Sequence, residues 1–187
     1  MADAPRYDKD MRHLLISALL AGLMAIGLNS CQIYGLTTGL NLLPDDERAK
    51  VIESTAPIDS LTADGLCHIV SVQQIKDFIA NGDTVVAYTW VPGCTSDQWI
   101  PPSFIERICD DRGYKLLLLL PGFGPTSFTI NDARHTPLLL PDYSIYGSKY
   151  RWKYLPRFNM DMTGRDDYDF WLFANGQYIK SLRIEDF

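Results

Sequence analysis

The sequence predicts an α/β domain, a three-layer sandwich in which a central mixed sheet carries helices on both faces. Two observations carry this reading. "TVVAYTW" (84–90) and "YKLLLLL" (114–120) are apolar runs of strand length, joined within about 37 residues by an amphipathic helical stretch; that is a βαβ unit, whose parallel strands are buried on both sides. The C-terminal "DFWLFANGQYIKSLRI" places two apolar runs around Asn175-Gly176, a strong hairpin signal that adds antiparallel strands.

The chain has 187 residues, 47% of them hydrophobic and 12% aromatic. That is enough for one sizeable core and not for two. Acidic residues outnumber basic ones, 23 to 17, giving a net charge of -6. Phosphate neutralisation needs a basic stripe, so nucleic acid is excluded as a general partner.

Residues 1–31 read as a targeting segment. From Met11 a short cationic start, Arg12-His13, is followed by "LLISALLAGLMAIGL" and then Leu28-Asn29-Ser30-Cys31, the layout of a secretory signal. The apolar run is about fifteen residues, short of the roughly 20 that cross a bilayer as a helix. This length argues against the competing reading, an uncleaved membrane anchor. The preceding "MADAPRYDKD" has no signal character, so translation is expected to start at Met11. The Leu-Asn-Ser-Cys segment resembles the lipobox of bacterial lipoproteins. The resemblance implies lipid on Cys31, a bilayer as partner, and an exported domain on the periplasmic face or the cell surface. Three cysteines then remain for the domain, Cys67, Cys94 and Cys109. An odd number in an oxidising compartment leaves at least one thiol without a disulfide within the chain.

Residues 32–60 are expected to form a tether with one helix over Asp45 to Glu53, Pro44 standing at its start and acids in its first turn. The domain proper is then 61–187. Within it "HIVSV" (68–72) alternates as a strand, and "VQQIKDFIAN" (72–81) aligns Val72, Ile75, Phe78 and Ile79 on one helical face before Gly82. The βαβ helix places Phe104, Ile105, Ile108 and Cys109 on one face. Residues 121–142, punctuated by Pro121, Gly122, Gly124, Pro125, Pro137 and Pro141, read as loop. A helix is expected over 143–155. Its tyrosines Tyr146, Tyr150 and Tyr154 would pack on the sheet while the cations of "KYRWKY" face water; contact of that segment with glycan or anionic lipid is the other reading.

The order strand, helix, strand, helix, strand, helix, hairpin resembles the thioredoxin fold from Cys67 to the end. "VVAYTW" is similar to the strand that leads into a thioredoxin active site, and Cys94 in "WVPGCTSD" falls at that site's first cysteine. Pro102 stands eight residues later, where the family commonly has a helix-kinking proline. The resemblance implies thiol-disulfide chemistry with no cofactor, flanked by Trp90, Pro92 and Asp97. Asp97 replaces the second cysteine, giving Cys94-Thr95-Ser96-Asp97, so internal release of a mixed disulfide is lost. The family's substrate-binding proline before the hairpin is also missing, Tyr168 or Asp169 standing there. What remains is at most a monothiol activity through Cys94, resolved by an external thiol.

Two opposing influences act on such a thiol. A helix N-terminus favours thiolate, whereas the Asp97 carboxylate one turn away disfavours a second negative charge. Thr95, Ser96 and Asp97 are also good helix-capping types, so the segment reads equally as the start of a helix with an inert thiol. Whether the protein is an enzyme therefore stays open at this point, the alternative being a non-catalytic binding or scaffolding module for an envelope protein. "PGCTSD" also resembles a peroxiredoxin segment, but Val91 and Ala87 replace the threonine and proline that such a site uses. Residues 159–170 place oxygen ligands like a calcium loop yet have Phe170 where a bidentate glutamate is needed, and read as a solvated acidic turn. His13, His68 and His135 are scattered, so no zinc set is expected.

Overall fold

A computed structural model describes residues 36–92, 100–124, 135–166 and 170–186. Among them seven strands form one sheet: β1 Val51–Glu53, β2 Cys67–Val70, β3 Thr84–Thr89, β4 Lys115–Leu119, β5 Leu138–Pro141, β6 Phe170–Ala174 and β7 Gln177–Leu182. Their spatial order is β1-β2-β5-β4-β3-β6-β7. The first five strands in that order run parallel, and β6 is antiparallel to both β3 and β7. The expected mixed α/β architecture is present. Successive residues of β3, β4 and β5 point to opposite faces, yet Val85 to Tyr88, Leu117 to Leu119 and Leu138 to Leu140 are all buried, so both faces of the middle of the sheet are covered.

The helices are α1 Asp45–Arg48, α2 Val72–Ala80, α3 Pro102–Arg112 and α4 Arg151–Thr163. Helix α2 starts as the sequence indicates. Ser71 Oγ accepts from Gln74 N at 3.1 Å while Gln74 Oε1 accepts from Ser71 N at 2.8 Å, a reciprocal cap that satisfies two orphan amides. Val72, Ile75, Phe78 and Ile79 form its buried face. The hairpin also follows expectation: Asn175 and Gly176 have φ of 49° and 78°, the positive pair that a two-residue turn of this hand requires.

Several expectations are corrected. The first helix is a single turn, and Val51–Glu53 is a strand at the sheet edge. The tether does not extend to residue 60: Leu43 and Ile58 are in the core, and Thr37 bridges to Tyr150. Gly39 (φ +73°) packs so tightly on this body that a Cβ there would meet the Phe123 carbonyl oxygen at 2.6 Å. Within the expected loop, Leu138–Pro141 is a fully buried strand. The helix expected at 143–155 is a 3-10 helix, Tyr143–Tyr146, followed by α4, which continues through Pro156 to Thr163. The tyrosine stripe is broken accordingly, with Tyr154 buried and Tyr150 40% exposed. Asn159 to Thr163 close α4 instead of forming a turn, and Asp161 pairs with Lys76 at 2.6 Å.

Strand β5 depends on a buried carboxylate. Glu106 on α3 is 4% exposed and accepts the backbone N–H of His135 at 3.0 Å and of Thr136 at 2.6 Å, immediately before β5. Ionised acceptors make the stronger class of hydrogen bond. Glu106→Ala leaves two amides without this acceptor, at roughly 1–3 kcal/mol for each buried group. The expected result is a stability loss of about 2–4 kcal/mol in urea unfolding, with Glu106→Gln losing less because it keeps an oxygen acceptor.

Candidate functional site

The segment singled out in the sequence leaves the sheet at the carboxyl end of β3. Trp90 N donates to Leu119 O at 2.8 Å, extending the β3–β4 pairing by one residue. Trp90 is 3% exposed, and its indole N–H has no acceptor among the described residues. Pro92 is buried behind it. Cys94 and Asp97, with Thr95 and Ser96, lie outside the described residues, as do Cys31 and the rest of the targeting segment. The chain returns at Ile100, which is buried and whose carbonyl accepts from Tyr88 Oη at 2.7 Å. Both ends of the segment are thus fastened to the last residues of β3, at the sheet edge where parallel α/β proteins commonly bind ligands.

Helix α3 begins at Pro102, with Pro101 as its cap residue. Pro102 is therefore the first helical residue and does not kink a longer helix, because a proline N–H is not needed at that position. The α3 terminus stands eight residues beyond Cys94 in the chain. The buried face of α3 also differs from expectation. It consists of Pro102, Ile105, Glu106 and Cys109, while Phe104 is exposed.

The two described thiols are both buried. Cys67 lies in β2 and Cys109 in α3, each essentially without exposed surface. Burial pushes the Cys109 thiol up to about 12, Asp110 adding to the shift, Arg112 opposing it and Glu106 adding again. Neither thiol is placed to meet an external disulfide.

Beyond β4, the chain that reads as loop is partly locked. Phe123 N donates to Thr38 O at 2.6 Å, and Pro121 O accepts from Tyr154 Oη at 2.9 Å. Tyr154 stacks on Tyr143 with centroids 4.2 Å apart, and Phe158 meets Tyr143 edge-on at 5.3 Å. This aromatic group underlies an open cleft of about 540 Å³ at the carboxyl ends of β2 and β5. Leu40, Ile69, Leu140 and Tyr143 supply its apolar lining, with Asp142, Ser144 and Lys149 as polar groups. The sequence reading missed this cleft because its walls come from the expected tether, the expected loop and the expected helix.

His135 sits between two carboxylates, Nδ1 at 3.4 Å from Glu106 and Nε2 at 3.4 Å from Asp110. Its backbone amide is bound by Glu106 as well, so the arrangement holds the chain in place before β5. Among the described residues no group of three or more His, Cys, Asp and Glu side chains could hold a metal ion.

Because Cys109 holds its proton more tightly in the folded state, its contribution to stability is fully present below pH 9 and is lost as pH rises toward 12. Urea midpoints should therefore decline across that interval, and Cys109→Ala should flatten the decline. At pH 8, iodoacetamide should leave Cys67 and Cys109 unmodified in the native chain and modify both in urea, as peptide mass mapping would report. In comparisons with known proteins, no family model, no curated protein and no solved structure matches this chain.

Proposed function

We propose that the chain is a lipoprotein of the bacterial envelope, held to the membrane by lipid on Cys31, whose domain is a variant of the thioredoxin-like arrangement acting as a binding module. The element order β2, α2, β3, α3, β4, α4 and the β6–β7 hairpin supports the resemblance. Strands β1 and β5 are additions to the order on which the resemblance rests. The partner is an envelope protein or exposed segment that seats at the carboxyl edge of the sheet, with the cleft beside β5 as its receiving surface.

One observation carries the choice of binding over catalysis: the described thiols are both committed to the core, Cys67 in β2 and Cys109 in α3. With Cys67 and Cys109 buried, no described thiol stands ready to resolve a mixed disulfide. Chemistry at Cys94 is then at most monothiol exchange completed by an outside thiol. A fold of this kind hosts many functions, so the site and not the fold decides.

Complementation of a deletion strain separates the readings. Cys94→Ser is expected to restore function as well as the native chain does, whereas Ser144→Trp, which fills the cleft, should not. Failure of Cys94→Ser in cells where the protein accumulates normally would return the redox reading to first place.

A further inference from the structure

The chain emerges from its folded body at a surface suited to a membrane. Leu36 is the first described residue, and it is fastened at once: its carbonyl accepts from Arg151 N at 2.7 Å, and Thr37 bridges antiparallel to Tyr150. Leu36 and Thr37 therefore lie beside the start of α4. Only five residue steps separate Cys31 from Leu36, and even a fully extended chain covers at most about 3.6 Å per step, so this link reaches no further than about 18 Å. A domain joined to lipid at Cys31 cannot stand far above the bilayer, and the surface around Leu36 must be the one nearest to it.

That surface is apolar and cationic together. Trp152 is 62% exposed, Leu36 43% and Tyr150 40%. The Lys153 ammonium lies 4.8 Å from the centre of the Trp152 ring, and the Lys149 ammonium 5.5 Å from that of Tyr150. From Tyr143 to Met160 the sequence carries Lys149, Arg151, Lys153 and Arg157 and no carboxylate, although the whole chain has a net charge of -6. Tryptophan and tyrosine favour the headgroup level of a bilayer, where an apolar ring and a polar edge are both accommodated. Lysine and arginine at the same depth meet lipid phosphates, and anionic lipid strengthens that attraction.

We infer that this face, built on Tyr150 and Trp152 with Lys149, Arg151 and Lys153, lies against the surface of an anionic phospholipid bilayer. The inference rests on the reading of Cys31 as lipidated, and it adds an orientation. The start of α4 faces the membrane. The cationic and aromatic segment that the sequence offered either to the sheet or to a ligand is divided between them, Tyr154 going to the core and Trp152 to the lipid.

The test uses the full lipidated chain purified from membranes and reconstituted in vesicles of phosphatidylethanolamine and phosphatidylglycerol with brominated acyl chains. Bromine quenches tryptophan emission on contact. The native chain is expected to be quenched, and Trp152→Phe to lose most of that quenching, the difference isolating one of the four tryptophans. Lys149→Glu with Lys153→Glu should likewise reduce it. If the native chain floats with the vesicles while Trp152→Phe is quenched equally, the face points elsewhere, and the orientation is overturned with the anchor intact. If the chain made in cells carries no lipid and does not float, the anchor reading itself fails and the orientation falls with it.

Discussion

Strand β5 is the contact on which the assembly of this domain depends. In the order β1-β2-β5-β4-β3-β6-β7, the strands β1 and β2 reach the rest of the sheet only through Leu138–Pro141. The β4–β5 pairing is short, matching Leu118 with Leu138 and Leu119 with Leu139, and Leu120 N extends it by donating to Leu139 O at 2.7 Å. So brief a ladder is held by burial on both faces and by the Glu106 carboxylate that binds the chain just before the strand. The second half of β5 hands over to the 3-10 helix and α4, and α4 in turn receives the N-terminal segment at Tyr150. One four-residue strand thus links the core and the cleft beside β5 to α4, where Leu36 and Thr37 are fastened.

The candidate site owes its character to the same arrangement. Tyr88 and Trp90 fasten the two ends of the segment that contains Cys94, while α3 begins well after it. The described thiols, Cys67 and Cys109, are buried in the core. A cleft with an apolar floor and a few polar groups beside β5 is the kind of surface that binds.

Much of the fold was legible because the informative segments are long and periodic. The α2 face, the runs of β3 and β4 and the Asn175-Gly176 turn each state their structure locally. What escaped did so for identifiable reasons. Leu138 to Leu140 are only three apolar residues between Pro137 and Pro141, and prolines mark loops; yet Pro141 ends its strand, where Asp142 N takes over by donating to Val70 O. Val51 to Glu53 follow a helical turn without any breaker, so their pairing with β2 is a tertiary choice. Pro156 suggested the end of a helix, but α4 passes through it at the cost of one backbone bond, to the carbonyl of exposed Trp152. Glu106 was overlooked as a charged residue, although it shares a helical face with Ile105 and Cys109, and only the fold shows that the face turns it toward the amides of His135 and Thr136. In the candidate region, Trp90 and Pro92 follow β3 as their place after an apolar strand suggests, while Cys94 lies outside the described residues. The described helix α3 begins at Pro102, and Thr95, Ser96 and Asp97, which the sequence offers as caps, lie outside the described residues.

On the proposed reading Cys94 is not an activated thiol, and the pH dependence of its alkylation decides between binding and redox chemistry. The full chain in detergent would be pulsed with iodoacetamide across a pH series and each cysteine followed by peptide mass mapping. An apparent pKa at or above the ordinary thiol value of about 8.5, or no reaction in the folded chain, is the predicted result. A thiolate titrating well below that value would contradict the account and make Cys94 the centre of the protein's function.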